Sequence, residues 1–270
     1  MQLDSFQPST DKPQPGKMTT GYPDEISPRT KQARSRVESK VELYEIKTSN
    51  YGAQYEPTEK IRTVIVPSFP DLGRLSAWRF VEWVQANPEG VCSLPTGRTP
   101  EFFIKFVGKI IDEWDSPWIQ EELHMYGLEN RKPVMSELKF VQIDEFYPIS
   151  ADQANSFHSY VQKYYIDGFG MKQENCLVMD LANVGIPEGK SYKDVWPDGV
   201  HLELRERAPK TDLERLQVQV LRALDQWCDA YESKIRALGG IGFFMGGIGP
   251  DGHLAFNCRG ASHHGTTVLC

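Results

Sequence analysis

Ile241-Gly242-Phe243-Phe244-Met245 runs directly into Gly246-Gly247-Ile248-Gly249-Pro250-Asp251-Gly252, after which His253 and Asn257 follow within a few positions. A short apolar run reads as a buried strand, and repeated glycine reads as a turn whose backbone lies close against a ligand. Asp251 stands two positions before His253, where a carboxylate sets the orientation and basicity of an imidazole. The stretch predicts an active-site loop. Gly247, Gly249 and Gly252 also match the G-x-G-x-x-G spacing of a dinucleotide site. Against that, Asp251 would set a negative charge where pyrophosphate must lie. Pro250 removes a backbone donor, and the sequence stops before the acidic ribose-binding residue expected about 20 positions on. Acid–base work on a small ligand suits the loop better.

The same strand-to-loop pattern occurs twice upstream. Gly90–Leu94 reads as a short buried strand opening into Pro95-Thr96-Gly97-Arg98-Thr99-Pro100. Glu101 to Trp114 reads as a helix, with Thr99 as N-cap and Pro100 at its first position. Unpaired N–H groups, hydroxyls and the helix dipole at such a start favour an anion, so the loop predicts a phosphate site. Lys139–Ile143 alternates as a strand and ends at Asp144-Glu145. In an open α/β sheet that end borders the ligand crevice; one carboxylate can serve as base while the other is solvated or caps a neighbouring helix.

Between these points the pattern predicts strands at 62–66 and 176–179 and helices at 72–85, 155–168 and 211–238, with polar sequence at 115–137 and a loop at 182–210 that reads as a lid. His158 reads as a surface or core-edge residue. The repeated strand-then-helix order predicts a mainly parallel sheet covered on both faces.

Residues 1–58 are rich in Pro, Ser, Thr, Lys and Gln and predict a mobile N-terminal extension, with an edge strand or docking arm at 40–46; residues 59–270 form the folded α/β domain. A net charge of −7 and a pI near 5.5 exclude a general attraction to nucleic acid or anionic lipid. No apolar run approaches the ~18 residues of a membrane span. Five scattered cysteines without a C-x-x-C pair argue against a disulfide framework and a zinc site, and point to a reducing, cytoplasmic setting.

As an ordered set, the three junctions resemble the glucosamine-6-phosphate deaminase/isomerase family, related in fold to 6-phosphogluconolactonase, from about Ile61 to Cys270. Asp144-Glu145-Phe146 resembles the family's Asp-Glu-aromatic element, and His253-Leu254-Ala255-Phe256-Asn257 its His-x-Ala-Phe-Asn element. The resemblance implies a Rossmann-like three-layer α/β sandwich, incomplete at the C-terminus, that converts a hexosamine 6-phosphate to a ketose phosphate and ammonia. It implies that Asp144 moves the C2 proton to C1 and that His253, oriented by Asp251, opens the sugar ring. Thr96, Gly97, Arg98 and Thr99 would hold the phosphate, and Glu145, Gly246, Gly247 and Asn257 the rest of the substrate. It implies no metal, no organic cofactor and no nucleic-acid or membrane partner, and a homo-oligomer is expected.

Three departures accompany the likeness. Cys258 stands where the family's deaminases carry Glu, Arg98 where a small residue is common, and the sequence ends within an expected strand. They keep two alternatives in view: a sugar-phosphate binding module without turnover, and a lactonase-type hydrolase.

Overall fold

In the computed structural model, which describes residues 38–48, 63–257, 267 and 269, four short strands form one parallel sheet. They are β1 (Val91–Ser93), β2 (Lys139–Val141), β3 (Cys176–Leu177) and β4 (Phe243–Phe244), lying in the order β3-β2-β1-β4. The register pairs Cys92 with both Phe140 and Phe243, and Phe140 with Cys176, so these four side chains share one face. Val91, Val141 and Leu177 point to the other.

Seven helices are labelled here among the described residues: α1 (Lys40–Thr48), α2 (Phe69–Ala86), α3 (Glu101–Asp112), α4 (Pro117–Tyr126), α5, α6 (Tyr192–Val195) and α7 (Asp212–Ala237). The label α5 covers the continuous run 157–169, made of Phe157–Val161, a π-helical turn Gln162–Ile166, and Asp167–Phe169. Cys92 and Phe140 pack with Trp78, Phe103, Ile119 and Tyr165 from α2 to α5. Val91 and Val141 pack with Tyr231, flanked by Trp227 and Ile235 of α7. Both faces are thus covered, as the strand–helix order predicts.

Topology follows from handedness. The chain steps from β1 to β2 to β3 with its helices on one face, then crosses the opposite face through α7 to reach β4 on the far side of β1, as right-handed crossovers require. Loops that leave β1 in one direction and β4 in the other diverge, and a crevice opens at the strands' C-terminal ends.

Several local expectations are corrected. Residues 40–46 are helical: Val41 is fully buried, Tyr44 packs against the core, and this i, i+3 spacing suits a helix face rather than an alternating strand. The Glu82 carboxylate caps α1 by accepting from Ser39 Oγ (2.6 Å) and from the Lys40 N–H (2.7 Å), and Arg79 pairs with Glu42 at 2.5 Å. By its contacts the larger compact unit runs from Glu38 to Cys270, so it takes in residues expected in the extension. Residues 63–66 form no strand; Val64 and Val66 pack against the core as an irregular lead-in to α2.

The polar stretch 115–137 contains α4, which buries Ile119, Leu123 and Tyr126 at helical spacing and stops at Gly127, whose φ is 65°. The segment 182–210 is not an open lid: Val195, Trp196 and Leu204 pack with Val220, Leu221 and Leu224 in a cluster of their own. Thr99 does not cap α3. That helix starts at Glu101, with Pro100 at the cap position and no side-chain cap bond.

Helices α2 and α3 approach closely at Gly73. A Cβ there would meet Phe102 Cβ, and would stand 2.7 Å from the Phe102 carbonyl carbon and 2.9 Å from the Phe103 nitrogen. Backbone cannot retreat from such a clash as a flexible side chain can. Gly73→Ala is therefore expected to lower stability by about 1–3 kcal/mol, read from urea midpoints; an unchanged midpoint would contradict this packing.

Candidate active site

The three strand ends singled out in the sequence converge on one cavity of about 290 Å³. The loop after β1 brings Pro95, Thr96 and Thr99 to its wall, the end of β2 brings Ile143 and Asp144, and β4 with its loop brings Phe244, Gly246, Gly247 and His253. Thr99 and Gly247 are near neighbours: a Cβ on Gly247 would lie 3.3 Å from Thr99 Cγ2.

Hydrogen bonds hold the three junctions at fixed heights. Ser93 Oγ donates to the Val141 carbonyl at 2.7 Å, and the Met245 N–H donates to the Ser93 carbonyl at 3.0 Å. Gln142, 1% exposed, accepts the Met179 N–H (2.8 Å) and donates to the Asp144 carbonyl (2.9 Å). The Asp144 backbone is thereby fixed by a buried amide.

Asp144 sits partly buried in the wall. Burial first, and the neighbouring Glu145 charge second, push its carboxyl up to about 6, while the proximity of His253 pulls it down. A carboxylate in that range is a stronger base than a solvated one and is still ionised at neutral pH.

His253 Nδ1 is hydrogen-bonded to Asp251 Oδ1. The bond orients the ring and assigns the proton to Nδ1, which leaves Nε2 as the free ring nitrogen. Asp251 is itself held below the usual carboxylate range, chiefly by this bond. The ring lies so close over Gly249 that a Cβ there would collide with it unless the ring moved. Ala255, also in the wall, adopts a left-handed φ of 52°, a conformation costing about 1–2 kcal/mol for alanine.

Of the residues expected to contact substrate, Thr96, Thr99, Asp144, Gly246, Gly247 and His253 line the cavity, and Asp251 stands directly behind His253. Gly97, Arg98, Glu145 and Asn257 are outside its wall. Glu145 turns away to α5, where its carboxylate accepts the N–H groups of Phe157 (3.0 Å) and His158 (2.7 Å). It is the carboxylate that caps, as one branch of the sequence reading allows. Asn257 Nδ2 donates to the Leu254 carbonyl at 3.0 Å. Cys258 and Arg259 lie outside the described residues.

Sequence reasoning missed an aromatic wall. Phe157 and Phe256 line the cavity with rings stacked at 5.5 Å and 14°, and Phe146 joins them at 5.0 and 4.8 Å. Phe157 reads as core from its helical spacing, and nothing local reveals that its partner is more than ninety residues away. Among the described residues, no group of three or more His, Cys, Asp or Glu is placed to hold a metal ion, and no helix is long and apolar enough to cross a membrane.

Folding raises the Asp144 carboxyl from about 3.8 to about 6. Over that interval the native state keeps a proton that the unfolded chain has released, so stability falls as pH rises from about 4 to about 6. Asp144→Asn removes this loss. The variant's advantage in urea midpoint over the wild type should grow across that interval and then level off; an advantage that does not vary with pH would contradict the assignment.

No protein-family profile matches the chain. Curated relatives do. A glucosamine-6-phosphate deaminase of Porphyromonas gingivalis (strain ATCC BAA-308 / W83) is 26% identical over 207 residues, covering 75% of this chain and 58% of the relative. The glucosamine-6-phosphate deaminase of Borreliella afzelii is 25% identical over 207 residues, with 75% and 57% covered. Glucosamine-6-phosphate deaminase 1 of Pongo abelii is 27% identical over 169 residues, with 63% and 39% covered. The chain thus spans less than two thirds of the length of these relatives. A solved structure of a monomeric glucosamine-6-phosphate deaminase, described as a missing link of the NagB superfamily, superposes with a TM-score of 0.45 at 19% identity, covering 73% of this chain and 59% of that one. In its three motif-bearing junctions the chain is thus similar to glucosamine-6-phosphate deaminases.

Proposed function

We propose that this chain carries the catalytic centre of an aminosugar-phosphate deaminase that converts glucosamine 6-phosphate and water to fructose 6-phosphate and ammonia. One observation carries the reading: Thr99, Asp144 and His253, from three separate strand ends, face a single cavity.

The Thr96 and Thr99 hydroxyls, with backbone N–H groups ahead of α3, hold the 6-phosphate. The glycine backbone of Gly246 and Gly247 lies along the sugar. His253, with Nδ1 fixed by Asp251, uses Nε2 to move a proton from the C1 hydroxyl to the ring oxygen, which opens the pyranose to the aldehyde. Asp144 removes the C2 proton as the C1 oxygen takes up charge and returns it at C1, while the C2 amine gives up a proton and the C1 oxygen gains one. That leaves C2 doubly bonded to nitrogen; water adds there, ammonia departs, and the C2 ketone forms. The aromatic wall of Phe157 and Phe256 limits bulk water at the reacting carbons.

A cytoplasmic setting and self-association belong to the same reading. The apolar side chains of Ile241 and Leu254, exposed before and after β4 in the chain, support the second. A monomer by sedimentation at working concentration would remove it.

Release of ammonia and fructose 6-phosphate from glucosamine 6-phosphate is the expected outcome; tight binding without turnover would instead establish a binding module. Asp144→Asn should slow solvent exchange of the C2 proton by about 10²–10⁴-fold and leave phosphate binding intact. Exchange that survives the substitution rules out Asp144 as the base. Thr99→Val should weaken binding of the phosphorylated sugar about five- to tenfold without affecting the free sugar; equal effects on both would remove the phosphate-loop assignment.

A further inference from the structure

Helical run α5 touches two of the three strand ends through side-chain bonds. At its start, Ser156 already caps it by accepting the Ser159 N–H at 2.9 Å. Glu145 adds a second attachment from outside the helix, at the Phe157 and His158 N–H groups, while also accepting the Phe146 N–H at 2.9 Å. Glu145 adjoins Asp144, and the buried Gln142 amide donates both to the Asp144 carbonyl (2.9 Å) and to Glu145 Oε2 (3.3 Å).

Two turns along, the π-helical turn Gln162–Ile166 carries Tyr165. Its ring is fully buried among Phe140, Tyr160 and Phe169, at 5.5, 6.2 and 5.4 Å, where a phenylalanine would pack as well. Its hydroxyl has a specific partner, the carbonyl of Pro95, the residue that opens the loop bearing Thr96 and Thr99. Single π turns inside α-helices are frequent where a helix serves a functional site.

We propose that α5 is a rigid brace between the Asp144 junction and the Pro95–Thr99 loop, with Glu145 and Tyr165 as positioning residues at its two ends. The proposal rests on Asp144 acting as base and the β1 loop as phosphate site. A brace sets the distance between the gripped phosphate and the reacting C2. Loosening one end spoils the grip and loosening the other spoils the chemistry, so the two ends have separable signatures.

The test uses the full chain with glucosamine 6-phosphate for kinetics and inorganic phosphate for binding. Tyr165→Phe should raise KM and the phosphate Kd about five- to tenfold, the loss of one buried hydrogen bond, with kcat within about twofold. Glu145→Gln should lower kcat about tenfold or more, with KM and phosphate Kd within about twofold. A fall in melting temperature with unchanged kinetics, or equal losses at both ends, overturns the brace. If Glu145→Gln does not fold, phosphate binding by Tyr165→Phe decides alone. A wild-type chain that neither binds phosphate nor turns over the sugar refutes the underlying reading, and the brace falls with it. Phosphate binding that is equal in wild type and Tyr165→Phe refutes only the brace.

Discussion

Parallel strands present all their following loops at one edge of the sheet, and in this chain β1 is the point at which the winding reverses. Loops that diverge on either side of β1 cannot close over one another, so the space between them stays open. Residues from 95–99, 143–144 and 246–256 meet there although about 160 positions separate the first from the last. The fold makes one place that all three can reach, and the cavity is a consequence of strand order rather than of any single loop.

Fixing that place takes polar contacts as well as apolar packing. Short strands of two or three residues supply few ladder bonds, and buried side chains add to them. Ser93 ties β1 to β2, Gln142 ties the end of β2 to Met179 beyond β3, and the Tyr231 hydroxyl from α7 lies 2.8 Å from the Gln142 carbonyl and 3.1 Å from that of Leu177. Each pairs polar groups held away from water. Burial at the same junction, with the neighbouring Glu145 charge, raises the Asp144 carboxyl.

The glycine-rich loop, the Asp-Glu pair and the Thr-Gly-Arg-Thr turn were legible in the sequence because each couples a strand end to residue types with particular chemistry. The parallel sheet was legible from the alternation of strand and helix. What escaped depends on distant partners. Residues 40–46 fold as a helix because Glu82 and Arg79 of α2 meet them, and α4 was hidden because its polar residues outnumber its buried Ile119, Leu123 and Tyr126. Thr99 looks like a helix cap in sequence, yet it faces the cavity beside Gly247. Glu145 could be read as a substrate ligand or as a cap, and only the placement of α5 decides between them.

The central claim is that one sugar phosphate is held by all three strand ends at once. A crystal structure of the Asp144→Asn chain soaked with glucosamine 6-phosphate tests it most directly, because the bound sugar persists once the base is removed. The account predicts the phosphate against Thr96 and Thr99, the C2 carbon within reach of residue 144, and the ring oxygen or C1 oxygen beside His253. A ligand that occupies the cavity with its phosphate turned away from the β1 loop, or that binds elsewhere on the molecule, would contradict it.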